Sequence, residues 1–207
     1  MIDIILRGGI FMYPIILCSI VALAIFFERI WVLRQDHIIP QGFISSVQQL
    51  LKNQKLSEAF SLCRNDNSSI AKIFLAGLKN AQKGMWLVKE AIEERGGREA
   101  IILEKNVGIL STIANLSTLL GFLGTVSGMI KTFNAISIHG LDNPAPLAGG
   151  IAEALITTVA GLCIAIPVLV CHRFLKDKAS ALVFEMEEYS IRLIELMESY
   201  TTTNSTH

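Results

Sequence analysis

The stretch Asn106–Ile130, NVGILSTIANLSTLLGFLGTVSGMI, decides the fold. From Lys105 to Lys131 it carries no charged side chain. A helix rises about 1.5 Å per residue and the hydrocarbon core of a bilayer is about 30 Å thick, so about 20 residues span it. The stretch is therefore long enough to cross, yet it is not oily. Asn106, Ser111, Thr112, Asn115, Ser117, Thr118, Thr125 and Ser127 interrupt it. A lipid-facing helix gains nothing from so many polar groups, so this segment is expected to face protein or water.

Two further windows lack charge: Gly8–Phe27, and Ala154–His172 with His172 counted as neutral. Three transmembrane helices follow, assigned to 10–27, 106–130 and 150–171. The composition agrees. Of 207 residues, 52% are hydrophobic and only 17% charged, below the roughly 25% of soluble domains. With 18 Lys+Arg against 18 Asp+Glu, disorder and a nucleic-acid binder driven by net charge are excluded. The first apolar run is longer than a signal-peptide core, no small-x-small site follows, and Glu28-Arg29 comes directly after it. It is expected to stay on the protein as an anchor.

Flanking cations set the orientation. One side carries Arg29, Arg34, Lys89, Arg95, Arg98, Lys105, Arg173, Lys176 and Lys178; the other carries only Arg7 and Lys131. The cation-rich regions, 28–105 and 172–207, are expected in the cytoplasm. The N-terminal residues 1–9 and the 131–149 loop are expected outside.

The 28–105 region is charged with both signs and reads as helical. Pro40 opens a helix running to about Asn53, and Gly84 closes another begun near Ser68 or Ser69. Leu56, Phe60, Cys63, Ile70, Ile73, Phe74 and Leu78 recur at helical spacing. From Trp86 the chain runs into the second span without a breaker except Gly96-Gly97. One long helix is expected, softened at that glycine pair. The third span continues likewise into a cytoplasmic helix. Leu175, Ala179, Leu182, Met186, Tyr189, Leu193, Leu196 and Tyr200 alternate in steps of four and three, a heptad seam that packs either on its own chain or on neighbouring subunits. Thr201–His207 is expected to fray. The fold class is thus an all-α integral membrane protein whose second and third spans extend into the cytoplasm.

Nothing in the sequence reads as an enzyme: there is no Gly-rich phosphate loop, nucleophile elbow or His/carboxylate cluster. Cys18, Cys63, Cys163 and Cys171 lack ligand spacing, and the four histidines are far apart in sequence, so neither a metal nor a cofactor is expected. The informative residues lie in the second and third spans. Ser111, Thr118, Thr125 and Thr132 recur every seven residues and share a face with Asn115, Gly121 and Gly128. Gly124-x-x-x-Gly128 adds a close-approach motif. Gly150, Ala154, Thr158, Gly161 and Ala165 form a small-residue seam in the third span, with Thr157 one turn beyond Glu153. Tight helix packing, with hydroxyls bonded to the preceding turn, accounts for such a seam. The added hydroxyl and amide groups favour a polar lumen along part of it. Glu153 has two readings: an acid within the membrane, functional by default, or a headgroup-level residue capping the third helix. No titratable residue sits near the middle of any span. If protons pass, a partner helix must supply that group.

Three motifs carry a family resemblance. Gly9-Ile-Phe-Met-Tyr-Pro14, with Ser19, Ala22-Leu-Ala-Ile25 and Glu28-Arg29, resembles the start of ExbB-type proteins. Leu120-Gly-Phe-Leu-Gly-Thr-Val-Ser-Gly-Met129 and Gly149-Gly-Ile-Ala-Glu-Ala-Leu-Ile-Thr-Thr-Val-Ala-Gly161, continuing to Ala165-Ile-Pro167, resemble the second- and third-span signatures of the MotA/TolQ/ExbB proton-channel family. The similarity covers about half the chain and lies nearest ExbB. It implies a bacterial inner-membrane homopentamer, with a periplasmic N-terminus and a cytoplasmic C-terminus, around the helices of a dimeric ExbD- or TolR-like single-span partner. That partner's membrane aspartate would supply the missing acid, and a TonB-like periplasm-spanning protein would receive the work. By the same resemblance Thr125 and Thr158 are the pore-facing threonines, Glu153 the motif glutamate and Pro167 the proline near the inner end of the third span. The chain departs from the family where Ser117-Thr118 replaces the usual Ala-Pro, which extends the hydroxyl row. A TolQ-like role is the neighbouring alternative. A flagellar stator would have four spans. Outside the family stand a passive scaffold and a small-solute carrier.

Overall fold

The computed structural model describes residues 8–139 and 144–204. The expected outer N-terminal stretch up to Arg7, the middle of the 131–149 loop and the final residues 205–207 lie outside them. Helix α1 covers Met12–Val32, α2 Gln35–Ile38, α3 Gln41–Lys52, α4 Leu56–Asn65, α5 Ser69–Lys79, α6 Met85–Glu104, α7 Val107–His139 and α8 Pro144–Asn204; a 3-10 turn at Ala81–Lys83 follows α5. No strand occurs among the described residues. The chain is an all-α membrane protein, and among the described residues three helical stretches are long and apolar enough to cross a bilayer, within Met12–Val32, Met85–Ile138 and Leu147–Ser199.

Two compact units divide the chain: Met1–Arg29 with Asn106–Phe174, and Ile30–Lys105 with Leu175–His207. The first holds most of α1, α7 and the N-terminal part of α8. Ile15, Leu110, Ala114, Ala154 and Ala165 are buried there, while Ile20, Leu119, Phe122, Val159 and Ile166 stand exposed along the helices. Large exposed apolar side chains in such numbers mark a surface that meets lipid or neighbouring protein rather than water.

The second unit has a side-chain core of the kind found in water. Pro40 is the N-cap of α3 as the sequence predicts. Ser68 caps α5, its hydroxyl accepting from Ala71 N at 3.3 Å. The helices α3 to α6 pack in succession, each on the next. Ile39, Val47, Ile70, Ile73, Phe74 and Val88 are almost wholly buried, and Phe43 and Phe74 set their rings 6.2 Å apart. Burial, with Asp66 adding to it, pushes the Cys63 thiol up from an ordinary 9.0 to about 12, so it is an inert core residue.

Three sequence expectations need correction. The path from α6 to α7 does not soften at Gly96-Gly97, which lie inside α6; it breaks at Lys105–Asn106, where Lys105 is extended (ψ 139°) and Asn106 is left-handed at φ +65°. The i,i+4 pairs Arg95–Glu99 and Arg98–Glu94 brace α6 across the glycines, whereas Asn readily takes the left-handed conformation. The buried seam of α8 follows the predicted heptad at Leu175, Ala179, Leu182, Met186 and Leu193, but Ser190 takes the place of Tyr189 and Met197 that of Leu196, because 3.6 residues per turn drifts against a repeat of 3.5. The seam packs on its own chain, with Leu193 against Gly77. Finally, α8 continues to Asn204, into the segment expected to fray.

Candidate functional site

Helices α7 and α8 run antiparallel within the first unit and meet backbone to backbone. A Cβ on Gly161 would lie 2.5 Å from Ser117 O and 3.1 Å from Gly121 Cα. One on Gly128 would lie 2.7 Å from both Gly150 O and the Ala154 Cβ. A Cβ on Gly150 would be 3.0 Å from Gly128 O, and one on Gly121 would be 3.3 Å from Thr158 Cα. At Gly161 and Gly128 only glycine fits. In lipid there is no hydrophobic drive to pair helices, so such close approach and hydrogen bonding take its place. Gly124 makes room in the same way for the Thr157 side chain, and Ala165 is buried further along α8.

The close approach brings Thr125 and Thr158 into a direct hydroxyl–hydroxyl hydrogen bond. Thr158 also donates to Gly121 O at 3.0 Å, and Thr125 lies 3.3 Å from the same carbonyl and 3.5 Å from Ala154 O. A consistent proton order is Thr125 to Thr158 to the Gly121 carbonyl. The chain of hydroxyls ends on an acceptor that cannot release a proton. The pair can pass a proton only if another group joins it.

Other predicted residues occupy distinct settings. Thr118 is half-buried and donates to Ala114 O at 3.1 Å; Thr132 is buried and donates to Gly128 O at 3.0 Å. Asn115 is exposed and Ser111 half-buried. The stripe of α7 is thus open at its Asn115 end and closed against α8 at its Thr132 end. Thr157 is fully buried, bonded to Gly8 O at 2.8 Å and to Glu153 O at 2.7 Å, which ties α8 to the segment ahead of α1. Ser117 is also fully buried, and its hydroxyl has no partner among the described residues. Pro167 lies inside α8 and is exposed.

Glu153 sits more than two turns into α8, which begins at Pro144. It is beyond reach of the unpaired N–H groups of the first turn, so it does not cap the helix. Its carboxylate instead meets Lys131 Nζ of α7 at 2.5 Å and lies over Gly9, whose φ is +69°. Sequence reading missed this pair. The two residues are 22 apart on different helices, and the register of α7 against α8 is set by the glycine contacts, which only the structure locates.

The described residues thus form an all-α membrane protein with a glycine-packed, hydroxyl-bearing helix pair. The chain belongs to the MotA/TolQ/ExbB proton channel family, whose pattern it matches over residues 65–188. It is 34% identical over 183 residues, 84% of this chain and 70% of the relative, to the putative biopolymer transport protein ExbB-like 1 of Synechocystis. To biopolymer transport protein exbB1 of Vibrio cholerae it is 28% identical over 192 residues, covering 86% and 80% of the two chains. The Tol-Pal system protein TolQ of Haemophilus influenzae is 32% identical over 139 residues, 62% of this chain and 61% of that one. The family is one of proton-channel and transport subunits, and the chain is a multi-pass membrane protein within it.

Proposed function

We propose that the chain is an inner-membrane stator subunit of ExbB type. With an ExbD-like single-span partner, it uses the proton-motive force to energise TonB-dependent transport across the outer membrane. The observation that carries this reading is the Thr125–Thr158 pair on the Gly121 carbonyl, a polar node that lacks its own titratable group. A partner acid placed beside it completes a proton path, with Asn115, Thr118 and Ser111 on the open stretch of the same stripe. Five copies of the 22.7 kDa chain form the ring in this reading, with two partner helices in its centre. The N-terminus and residues 131–149 face the periplasm in this reading, and 28–105 and 172–207 face the cytoplasm. Each proton crossing releases about 2.3 kcal/mol per 100 mV, so a few per cycle suffice to move one ring against the other. A TolQ-like role in envelope maintenance is the second reading, supported by the 32% identity to TolQ.

Native mass in mild detergent, with and without the single-span partner, tests assembly. The expected species is a pentamer that takes up two partner copies; a monomer or dimer indifferent to the partner returns the scaffold and carrier readings. Thr158→Val and Glu153→Ala are expected to abolish energised transport while leaving that mass unchanged. Full transport in both variants defeats the stator reading.

A further inference from the structure

We propose that Lys131 is the positioning residue for Glu153; this rests on the stator reading for its functional consequence. Lys131 is the only Lys or Arg of α7, and none stands on α8 before Arg173. Both partners are set well inside their helices, since α7 continues to His139 and α8 starts at Pro144. The contact is therefore between two rigid elements rather than between loose loop residues. Glu153 is the more enclosed of the two, its side chain 18% exposed against 54% for Lys131. The carboxylate is pressed onto Gly9, and a Cβ there would collide with it. Thr157, bonded to Gly8 O and Glu153 O, fixes the backbone on both sides of that contact.

The consequence is a carboxylate held in one place, between one and two turns along α8 from Thr158. A charge-assisted hydrogen bond from an ammonium selects one rotamer of an otherwise flexible side chain. Lys131 thereby fixes where the negative charge stands relative to the Thr125–Thr158 node.

Two measurements on the full-length chain with its single-span partner test this. The first needs no activity: a double-mutant cycle read as the thermal midpoint of the assembled complex. Lys131→Met and Glu153→Gln are each expected to lower the midpoint, and the double variant to lower it no further than the more damaging single change. Additive losses overturn the pairing. The second is proton flux into vesicles, read with a trapped pH dye under an imposed potassium-diffusion potential. Lys131→Met is expected to lower flux at least fivefold at unchanged native mass, with Lys131→Arg restoring most of it. Should Lys131→Met not assemble, Lys131→Gln replaces it in both measurements. Parent-level flux in the assembled Lys131 variant, with Glu153→Gln inactive, overturns this inference and leaves the stator reading in place. Parent-level flux in Glu153→Gln and Thr158→Val together overturns the stator reading itself.

Discussion

The two units of this chain are held together by opposite means. In the first, α7 and α8 meet where side chains are missing: Gly121, Gly128, Gly150 and Gly161 let main chains approach within van der Waals contact. In the second, α3 to α6 meet through large side chains that fill the space between them, with Phe74, Ile70, Ile73 and Val47 almost wholly buried. The difference follows from the solvent. Water drives apolar side chains together, roughly in proportion to the area removed from it. Lipid does not, so helices in it associate through dispersion contact and hydrogen bonds that need small residues. The same sequence therefore follows two grammars, and glycine means different things in each.

The largest effect is expected in the second unit. Phe74→Ala removes a fully buried ring that packs against Phe43, and large-to-small changes of this kind cost about 3–5 kcal/mol. Amide hydrogen exchange in detergent reads this locally. Protection in α3 to α6 is expected to fall by that amount while α7 keeps its own. Loss of protection in α7 to the same extent would show that the two units unfold as one, and the comparison would lose its basis.

Next comes the glycine contact. Gly161→Ala places a Cβ 2.5 Å from Ser117 O, and the clashing atom is backbone, which cannot swing aside as a side-chain end can. Overpacking costs about 1–3 kcal/mol. The helices must separate, and the Thr125–Thr158 bond, which depends on the same approach, is expected to break. A lowered thermal midpoint together with lost energised transport would sharpen the contrast. An unchanged midpoint would mean the pair tolerates a wider spacing than the glycines imply.

What could be read from sequence divides along the same line. Charge-free windows and caps are local signals, so the three spans, the start of α3 at Pro40 and the cap of α5 at Ser68 were legible. The small-residue seams were legible as seams, and the resemblance pointed to Thr125 and Thr158. Their meeting was not, because it depends on the register of α7 against α8. The Lys131–Glu153 pair was hidden for the same reason, and also because α8 begins at Pro144, ahead of the charge-free window. The break at Lys105–Asn106 was missed because glycine outranks asparagine as a breaker on propensity alone. In the structure α6 carries straight through the glycines, with the Arg95–Glu99 and Arg98–Glu94 pairs spanning them.

The smallest effect turns on those same glycines. Gly97 lies inside α6 with nothing within 4 Å of the place a Cβ would take, beside a hollow of about 440 Å³ lined by Gly96, Ala100, Met186 and Ser190. Gly97→Ala therefore meets no neighbour, and a helix-interior glycine is about 1 kcal/mol less favourable than alanine. The variant is expected to gain up to that amount, read as greater exchange protection across α6, with transport unchanged. One substitution, glycine to alanine, would then stabilise the second unit and disrupt the first. A loss at Gly97 instead would mean that the hollow is filled in the assembled protein, and that the second unit also uses missing side chains to admit a close neighbour.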